Sequence, residues 1–179
     1  MKIKIGQHAI EYPELSIVSG VTLCTGISGS GKTTLLKALH GLIDNDTCIT
    51  LIENRSTSLM PQQDIWISYL TLEEQLNLFG GKGVLSLAER LKLNSHFVKY
   101  PDELSVGQLQ RFSLALTMSN DSDIVLLDEP TSALDDDLAT IVFQLIEEYV
   151  LGNTDMSIVA VTHDIRMKEH FMNSNSWML

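Results

Sequence analysis

The sequence predicts an α/β fold in which a mainly parallel sheet is flanked by helices and carries an inserted helical subdomain. Short β-prone runs alternate with segments whose apolar residues recur at helical spacing. A glycine-rich stretch joins the first clear strand to the first helix, as at the start of many parallel α/β units. With 179 residues, the chain is expected to form a single domain spanning 1–179.

The charge balance narrows the classes of function. Twelve lysines and arginines face 23 aspartates and glutamates, which gives a formal net charge of −11. This excess argues against nucleic acid or an anionic membrane as the partner, although backbone amides can still bind an anionic ligand locally. No apolar stretch approaches the length of a membrane span. Cys24 and Cys48 show no C-x-x-C spacing, which favours core thiols in a reducing, cytoplasmic compartment over a disulfide or metal site.

The first half of the chain predicts three strands and one helix. Strands are expected at 1–5, 21–25 and around 49–52, after which 58–60 leads to Pro61. After the glycine-rich loop at 26–31, a helix is predicted with one apolar face. That face comprises Leu35, Leu36, Leu39, Leu42 and Ile43.

The second half begins with a predicted helical insert at about 71–119. Three capping-box patterns mark helix starts there, namely Thr71 with Glu74, Ser86 with Glu89, and Ser105 with Gln108. A buried strand at 124–127, an amphipathic helix over 138–149 and a strand at 157–162 follow. Parallel strands of this kind place ligands at their carboxyl ends.

The stretch from Gly26 to Thr33 fits G-x-x-x-x-G-K-[ST], the phosphate-binding P-loop. Its glycines let successive amides point into one concavity. Lys32 is expected to reach the β- and γ-phosphates, and the Thr33 hydroxyl to ligate Mg²⁺. A glycine-rich turn that binds nothing is the alternative, but the motif follows a strand and opens a helix, as a P-loop must.

The strand at 124–127 ends in two acids. Asp128 at its tip can hold Mg²⁺ through water, and Glu129 can orient and polarise the attacking water. An apolar strand that ends in acids is common by itself. Downstream of a P-loop, the pair predicts nucleotide hydrolysis.

Five ordered features resemble the ATP-binding-cassette (ABC) ATPases, the nucleotide-binding subunits of ABC transporters. These features are the P-loop at 26–34, Pro61-Gln62, Leu104-Ser105-Val106-Gly107-Gln108, the stretch Leu127-Asp128-Glu129-Pro130-Thr131-Ser132-Ala133-Leu134-Asp135, and Thr162-His163-Asp164. The third matches the family signature L-S-G-G-Q except at Val106. Together they extend over nearly the whole chain.

The resemblance implies a role for each matching residue. It implies ATP and Mg²⁺ as cofactors, with Thr33, Gln62 and Asp128 at the metal. Gln62 is favoured over Gln63 for the glutamine that touches Mg²⁺ and the lytic water. Lys32, Gln62, Glu129 and His163 are the implied catalytic set. Nucleotide contacts are implied for Gly26, Ile27, Ser28, Gly29, Ser30, Gly31, Lys32, Thr33 and Thr34, and, toward ATP on another protomer, for Ser105, Gly107, Gln108 and Asp135.

The sequence also departs from the family pattern. Val106 replaces a glycine, so either the signature is degenerate or Ser105 caps a helix in which Val106 has ordinary backbone angles. Tyr12 is the nearest aromatic for adenine stacking, and core packing is its alternative role. The family's antiparallel β-subdomain is expected to be trimmed, and its closing strands are expected to be mostly absent.

The leading hypothesis is an ATP-binding, ATP-hydrolysing subunit of an ABC transporter. Its implied partners are a second copy or a paralogous cassette, in an ATP sandwich, and a separate transmembrane permease, with no nucleic acid. The implied location is cytoplasmic, on the inner face of the membrane. The alternatives are a soluble non-transport ABC ATPase, a small P-loop kinase and a nucleotide-binding regulator without turnover.

Overall fold

The computed structural model describes residues 2–5, 8–43, 45–62 and 66–179. The strands within these residues are β1 (Lys2–Ile5), β2 (His8–Glu11), β3 (Gly20–Thr25), β4 (Thr57–Met60), β5 (Ile124–Asp128), β6 (Ser157–Val161) and β7 (Asn175–Met178). The helices are α1 (Lys32–Leu39), α2 (Asp46–Ile52), α3 (Leu72–Phe79), α4 (Val84–Arg90), α5 (Val106–Ser119), α6 (Asp136–Gly152) and α7 (Ile165–His170).

The main sheet of the described chain is parallel throughout, with strand order β4-β5-β6-β3-β7. A separate antiparallel pair, β1 with β2, is the small β-subdomain. The predicted fold class, a parallel sheet flanked by helices, is confirmed.

The core lies on both faces of the sheet, which is why the central strands are apolar at nearly every position. In β5, Ile124 and Leu126 pack with α1 on one face, whereas Val125 and Leu127 pack on the other face with the insert and α6. Cys24 and Cys48 are buried free thiols, and burial raises the pKa of Cys24 to about 12 and that of Cys48 to about 11.

Three predicted details of secondary structure are wrong. The expected strand around 49–52 is part of α2, which Asn45 caps by accepting a hydrogen bond from the Cys48 amide at 3.0 Å. The helix α1 ends at Leu39, so that Leu42 and Ile43 lie beyond it. The helix α4 begins at Val84, and its N-cap is Gly83 in the left-handed conformation.

Ser86 therefore lies inside α4 instead of starting it. After α7, one short closing strand, β7, pairs with β3 in the sheet. The other two capping boxes, at Thr71 and Ser105, are present as predicted. No described helix has both the length and the apolarity needed to cross a membrane.

Candidate functional site

Three adjacent strands bring the site residues to one edge of the sheet. In the paired register, the end of β6 at Val161 lies beside Cys24 of β3 and Asp128 of β5. The P-loop follows β3, Glu129 follows β5, and His163 follows β6 by two residues. The fold thus collects segments that are distant in sequence at the carboxyl edge of the sheet, where open α/β sheets bind ligands.

The P-loop surrounds a buried lysine. Lys32 is only 6% exposed, and its Nζ donates hydrogen bonds to the carbonyl oxygens of Ile27 at 2.8 Å and Gly26 at 3.1 Å. Gly31, the N-cap of α1, has φ +94°, a conformation that favours glycine. The first amides of α1 and the ammonium group therefore converge on one concavity, which suits an anion.

That concavity is a cavity of about 360 Å³. Its lining is Ile10, Ser28, Gly29, Gly31, Lys32, Thr33, Thr34, Gln62, Asp128, Glu129, Val161 and His163. All four predicted catalytic residues and all three predicted metal ligands are among them. Seven of the residues implied to bind nucleotide lie outside this lining, namely Gly26, Ile27 and Ser30 of the P-loop, and Ser105, Gly107, Gln108 and Asp135.

Asp128 offers an oxygen that has no protein partner among the described residues. The side chain is buried, and its Oδ1 atom makes no hydrogen bond. Burial raises the pKa of Asp128, while a hydrogen bond from Thr33 and the charges of Lys37 and Lys32 oppose that rise. An unsatisfied carboxylate oxygen beside a threonine hydroxyl matches the hard oxygen donors that Mg²⁺ prefers.

Glu129 has a strained backbone and a well-held side chain. Its φ is +55°, which is uncommon for a residue other than glycine. Both carboxylate oxygens accept hydrogen bonds from the His163 amide at 3.1 Å. The His163 ring nitrogen Nε2 lies 3.8 Å from Glu129 Oε1. The carboxylate is thus held by the His163 backbone, with the imidazole close by at the cavity wall.

The signature segment begins α5 as a capping box. The Ser105 hydroxyl accepts a hydrogen bond from the Gln108 amide at 3.3 Å, and Gln108 Oε1 accepts one from the Ser105 amide at 2.8 Å. Val106 is the first residue of α5 and is 74% exposed. It is not among the described residues with positive φ, so of the two possibilities the capped helix is the one present.

Gly107 lies where a side chain would not fit. A Cβ built at this position would be 2.6 Å from the Ala133 carbonyl oxygen. The close approach packs the start of α5 against the loop 129–135. Asp135, exposed at the end of that loop, caps α6 by accepting a hydrogen bond from the Leu138 amide at 2.9 Å.

Two side chains that sequence reasoning did not assign to the site hold the same loop. Gln110 of α5 donates to the Glu129 carbonyl oxygen at 2.6 Å. Arg166 bridges Asp164 and Asp136, at 2.7 Å from each, and donates to the Leu134 carbonyl oxygen at 3.2 Å. Gln110 comes two residues after the signature segment, which is the only sequence feature that places it near the site. No sequence pattern pointed to Arg166.

Two further expectations can be compared with the structure. Tyr12 is 5% exposed, and its hydroxyl donates to the Gly31 carbonyl oxygen at 2.9 Å. Tyr12 is therefore packed in the core, which was the alternative to adenine stacking. Gln62 is exposed in a bend after β4, whereas Gln63 lies outside the described residues.

Together, the parallel sheet and the P-loop cavity define a nucleotide-binding protein of the P-loop class. A family model described as ABC transporter matches residues 14–132, and the chain belongs to that family. It is an ATP-binding subunit of the ABC type and an ATP-hydrolysing one, as the sequence predicted.

The names of two similar proteins agree with this family. The Staphylococcus aureus protein HrtA, named as a hemin import ATP-binding protein, is 32% identical in the bovine strain RF122 / ET3-1, and the match covers 83% of this chain and 78% of that protein. The same protein of strain Newman is 31% identical, with the same coverage.

Solved structures show the same cassette fold. A dimeric bacterial ABC transporter cassette is 27% identical with a TM-score of 0.76, and the match covers 94% of this chain and 87% of that one. A dimeric post-hydrolysis cassette bound to ADP and phosphate has a TM-score of 0.75 at 27% identity, again with 94% and 87% coverage. An RNase-L inhibitor is 26% identical with a TM-score of 0.77, and the match covers 94% of this chain and 34% of that one.

Proposed function

We propose that this chain, as one ABC ATPase domain over 1–179 with a helical insert at about 71–119, hydrolyses ATP at the P-loop cavity to drive a membrane transporter. The carrying observation is the convergence of Lys32, Asp128, Glu129 and His163 on one cavity. Transport is favoured over a soluble non-transport ATPase because the Staphylococcus aureus relatives, at 32% and 31% identity, are named as hemin import ATP-binding proteins.

The proposed chemistry is positioning and charge stabilisation. The amides of the loop 26–34 and the Lys32 ammonium offset the charge on the β- and γ-phosphates. Glu129 aligns the attacking water, and the His163 imidazole hydrogen-bonds the γ-phosphate. Mg²⁺, held by Thr33, Asp128 and Gln62, would supply further positive charge at the phosphates.

A pair of variants tests this assignment. Lys32→Ala should weaken ATP binding, because the cation that faces the phosphates is removed. Glu129→Gln should bind ATP normally and lose turnover, since the amide cannot polarise the water. Binding is measured with a fluorescent ATP analogue and turnover by phosphate release with Mg²⁺. Wild-type turnover in Glu129→Gln would show that the role given to Glu129 is wrong.

The second protomer is the next part of the proposal. Ser105, Gly107, Gln108 and Asp135 lie outside the lining of the P-loop cavity. A second copy, or a paralogous cassette, could bring its own ATP to them in a head-to-tail dimer. Support comes from the dimeric form of the similar cassette. Light scattering of Glu129→Gln should show a dimer with ATP and a monomer without it, and a monomer in both cases contradicts the homodimer.

A separate permease is the proposed membrane partner. A cavity of about 510 Å³ lies between the core and the helical insert, lined among others by the exposed side chains of Leu42 and Phe79. This groove would receive a coupling helix and so hold the subunit at the inner face of the membrane. Phe79→Asp should reduce recovery of the chain in the membrane fraction of its native cells, with ATP binding unchanged. Recovery of the wild-type chain wholly in the soluble fraction of those cells favours the non-transport alternative.

A further inference from the structure

The side-chain amide of Gln110 joins the signature helix to the backbone of the acid that aligns water. Gln110 is in the second turn of α5, five residues beyond the N-cap Ser105. Its Nε2 donates to the Glu129 carbonyl oxygen at 2.6 Å and to Ser132 Oγ at 3.1 Å, and its Oε1 accepts from the Ala133 amide at 3.2 Å. These partners fix which end of the amide is which, because the carbonyl needs a donor and the Ala133 N–H needs an acceptor.

The Glu129 carbonyl is where this contact matters. Glu129 has φ +55°, and a non-glycine residue keeps such a conformation only when its surroundings hold it. The carbonyl oxygen accepts hydrogen bonds from Gln110 Nε2, from Ser132 Oγ at 3.2 Å and from the Ser132 amide at 3.3 Å. Of these donors, Gln110 makes the shortest bond and alone comes from outside the loop.

The position of α5 is therefore linked to the direction of the Glu129 side chain. The loop leaves β5 at Asp128 and is packed against Gly107 as well as Gln110. A small rotation of α5 relative to the sheet would move the Glu129 carbonyl, and a displaced peptide re-aims the carboxylate at the water position. Misplacement of about 1 Å can lower a rate by about a hundredfold.

We propose that Gln110 is a positioning residue for ATP hydrolysis, which holds Glu129 in its left-handed conformation and makes the alignment of the acid depend on the placement of the signature helix. The inference rests on the proposed function, in which Glu129 aligns the attacking water. An amide is required, because a carboxylate lacks the donor for Glu129 and an apolar side chain lacks both the donor and the acceptor.

Steady-state kinetics of three variants tests the proposal. Gln110→Met keeps the length of the side chain and removes its hydrogen bonds. Ser132→Ala removes a weaker bond to the same carbonyl. Gln144→Met, an exposed position on α6, is the matched control. We expect kcat to fall about tenfold or more in Gln110→Met and less in Ser132→Ala, with KM for ATP and nucleotide affinity unchanged, and no change in Gln144→Met.

The outcomes separate this inference from the function on which it rests. A kcat within twofold of wild type in Gln110→Met, a rise in KM with kcat intact, or an equal fall in Gln144→Met each overturns the positioning role. If Gln110→Met fails to fold, an unchanged kcat in Ser132→Ala overturns it instead. Wild-type turnover in Glu129→Gln contradicts the proposed function itself. If Glu129→Gln stalls while Gln110→Met is fully active, only the inference about Gln110 is wrong.

Discussion

The two halves of the proposed site are held by the fold in different ways. The P-loop half is enclosed, with Lys32 buried at the start of α1, and Asp128 and Glu129 buried at the end of β5. The signature half is exposed, and the side chains of Ser105 and Asp135 accept the hydrogen bonds that cap α5 and α6. The sheet therefore brings the P-loop and the two acids together, whereas the loop that carries Glu129 is also held by Gln110 of α5. In the signature half, the observed contacts of Ser105 and Asp135 are helix caps within this chain. Their proposed contacts with nucleotide therefore require ATP that is bound to a second protomer.

The largest predicted effect on stability is in the enclosed half, at Gly31. A Cβ there would be 2.6 Å from the Tyr12 hydroxyl and 2.9 Å from Ile10 Cδ1, at φ +94°. Gly31→Ala should lower the free energy of unfolding by about 2–4 kcal/mol, from backbone strain together with overpacking. Gly29→Ala, at φ +82° with no described atom within 4 Å, should lose only about 1 kcal/mol. Denaturant titration measures both, and equal losses would show that the packing around Tyr12 does not hold the loop.

A smaller loss is predicted in the signature half at Gly107. Replacing a helical glycine by alanine ordinarily stabilises a helix by up to about 1 kcal/mol. Here the Cβ would be 2.6 Å from the Ala133 carbonyl oxygen, so Gly107→Ala should lose about 1–3 kcal/mol. Gly152→Ala, at the end of α6 with no described atom within 4 Å, is the matched control and should not lose stability. A stabilised Gly107→Ala would contradict close packing between α5 and the loop.

The hydrogen bonds of Asp164 with Arg166 and Thr131, which hold the loop 129–135, predict that stability depends on pH. Burial tends to raise the pKa of Asp164, but hydrogen bonds from Arg166 and Thr131 outweigh it, so the pKa is lowered overall. A carboxyl whose folded pKa is depressed stabilises the protein above its unfolded pKa of about 4, and this contribution is lost as pH falls through the folded value.

Asp164→Asn should therefore be less stable than wild type at pH 7 and lose less stability on acidification below about pH 4. The measurement is the midpoint of thermal unfolding across that range. Asp155→Asn, at an exposed position, is the control and should follow the wild-type curve. If the midpoints of Asp164→Asn and wild type fall in parallel with pH, the bridge from Asp164 through Arg166 to Asp136 does not contribute to stability.

The order of elements was predictable wherever an element carries its own signal. The P-loop, the buried strand at 124–127 and the caps at Thr71 and Ser105 are local patterns, and the structure has them. The secondary structure of the segment 46–52 could not be predicted from its composition. Its β-branched residues favour a strand, whereas the Asn45 cap and packing on α1 stabilise a helix. The strand β7 has no alternation of polar and apolar residues that would predict it, since only Trp177 among its four residues is buried.

The predicted site divides in the same way. Lys32, Asp128, Glu129 and His163 could be placed together because strand ends meet at one edge of a parallel sheet. Gln110 and Arg166 could not be assigned from sequence, because their contacts depend on how α5 and α7 approach the loop 129–135. Motifs identify the groups that bear chemistry, whereas the side chains that aim them follow from packing between distant elements.

The smallest predicted effect concerns Val106. Because Val106 is the first residue of a capped helix and its side chain is 74% exposed, the backbone does not require glycine here. Val106→Gly should change ATP turnover by less than about tenfold, or roughly 1.4 kcal/mol of barrier. Ser105→Ala should cost more turnover, and about 1 kcal/mol of stability through loss of the cap. Turnover and unfolding of both variants provide the measurement. A large gain of activity in Val106→Gly would show that valine obstructs the γ-phosphate on the partner, and would favour the regulator over the working ATPase.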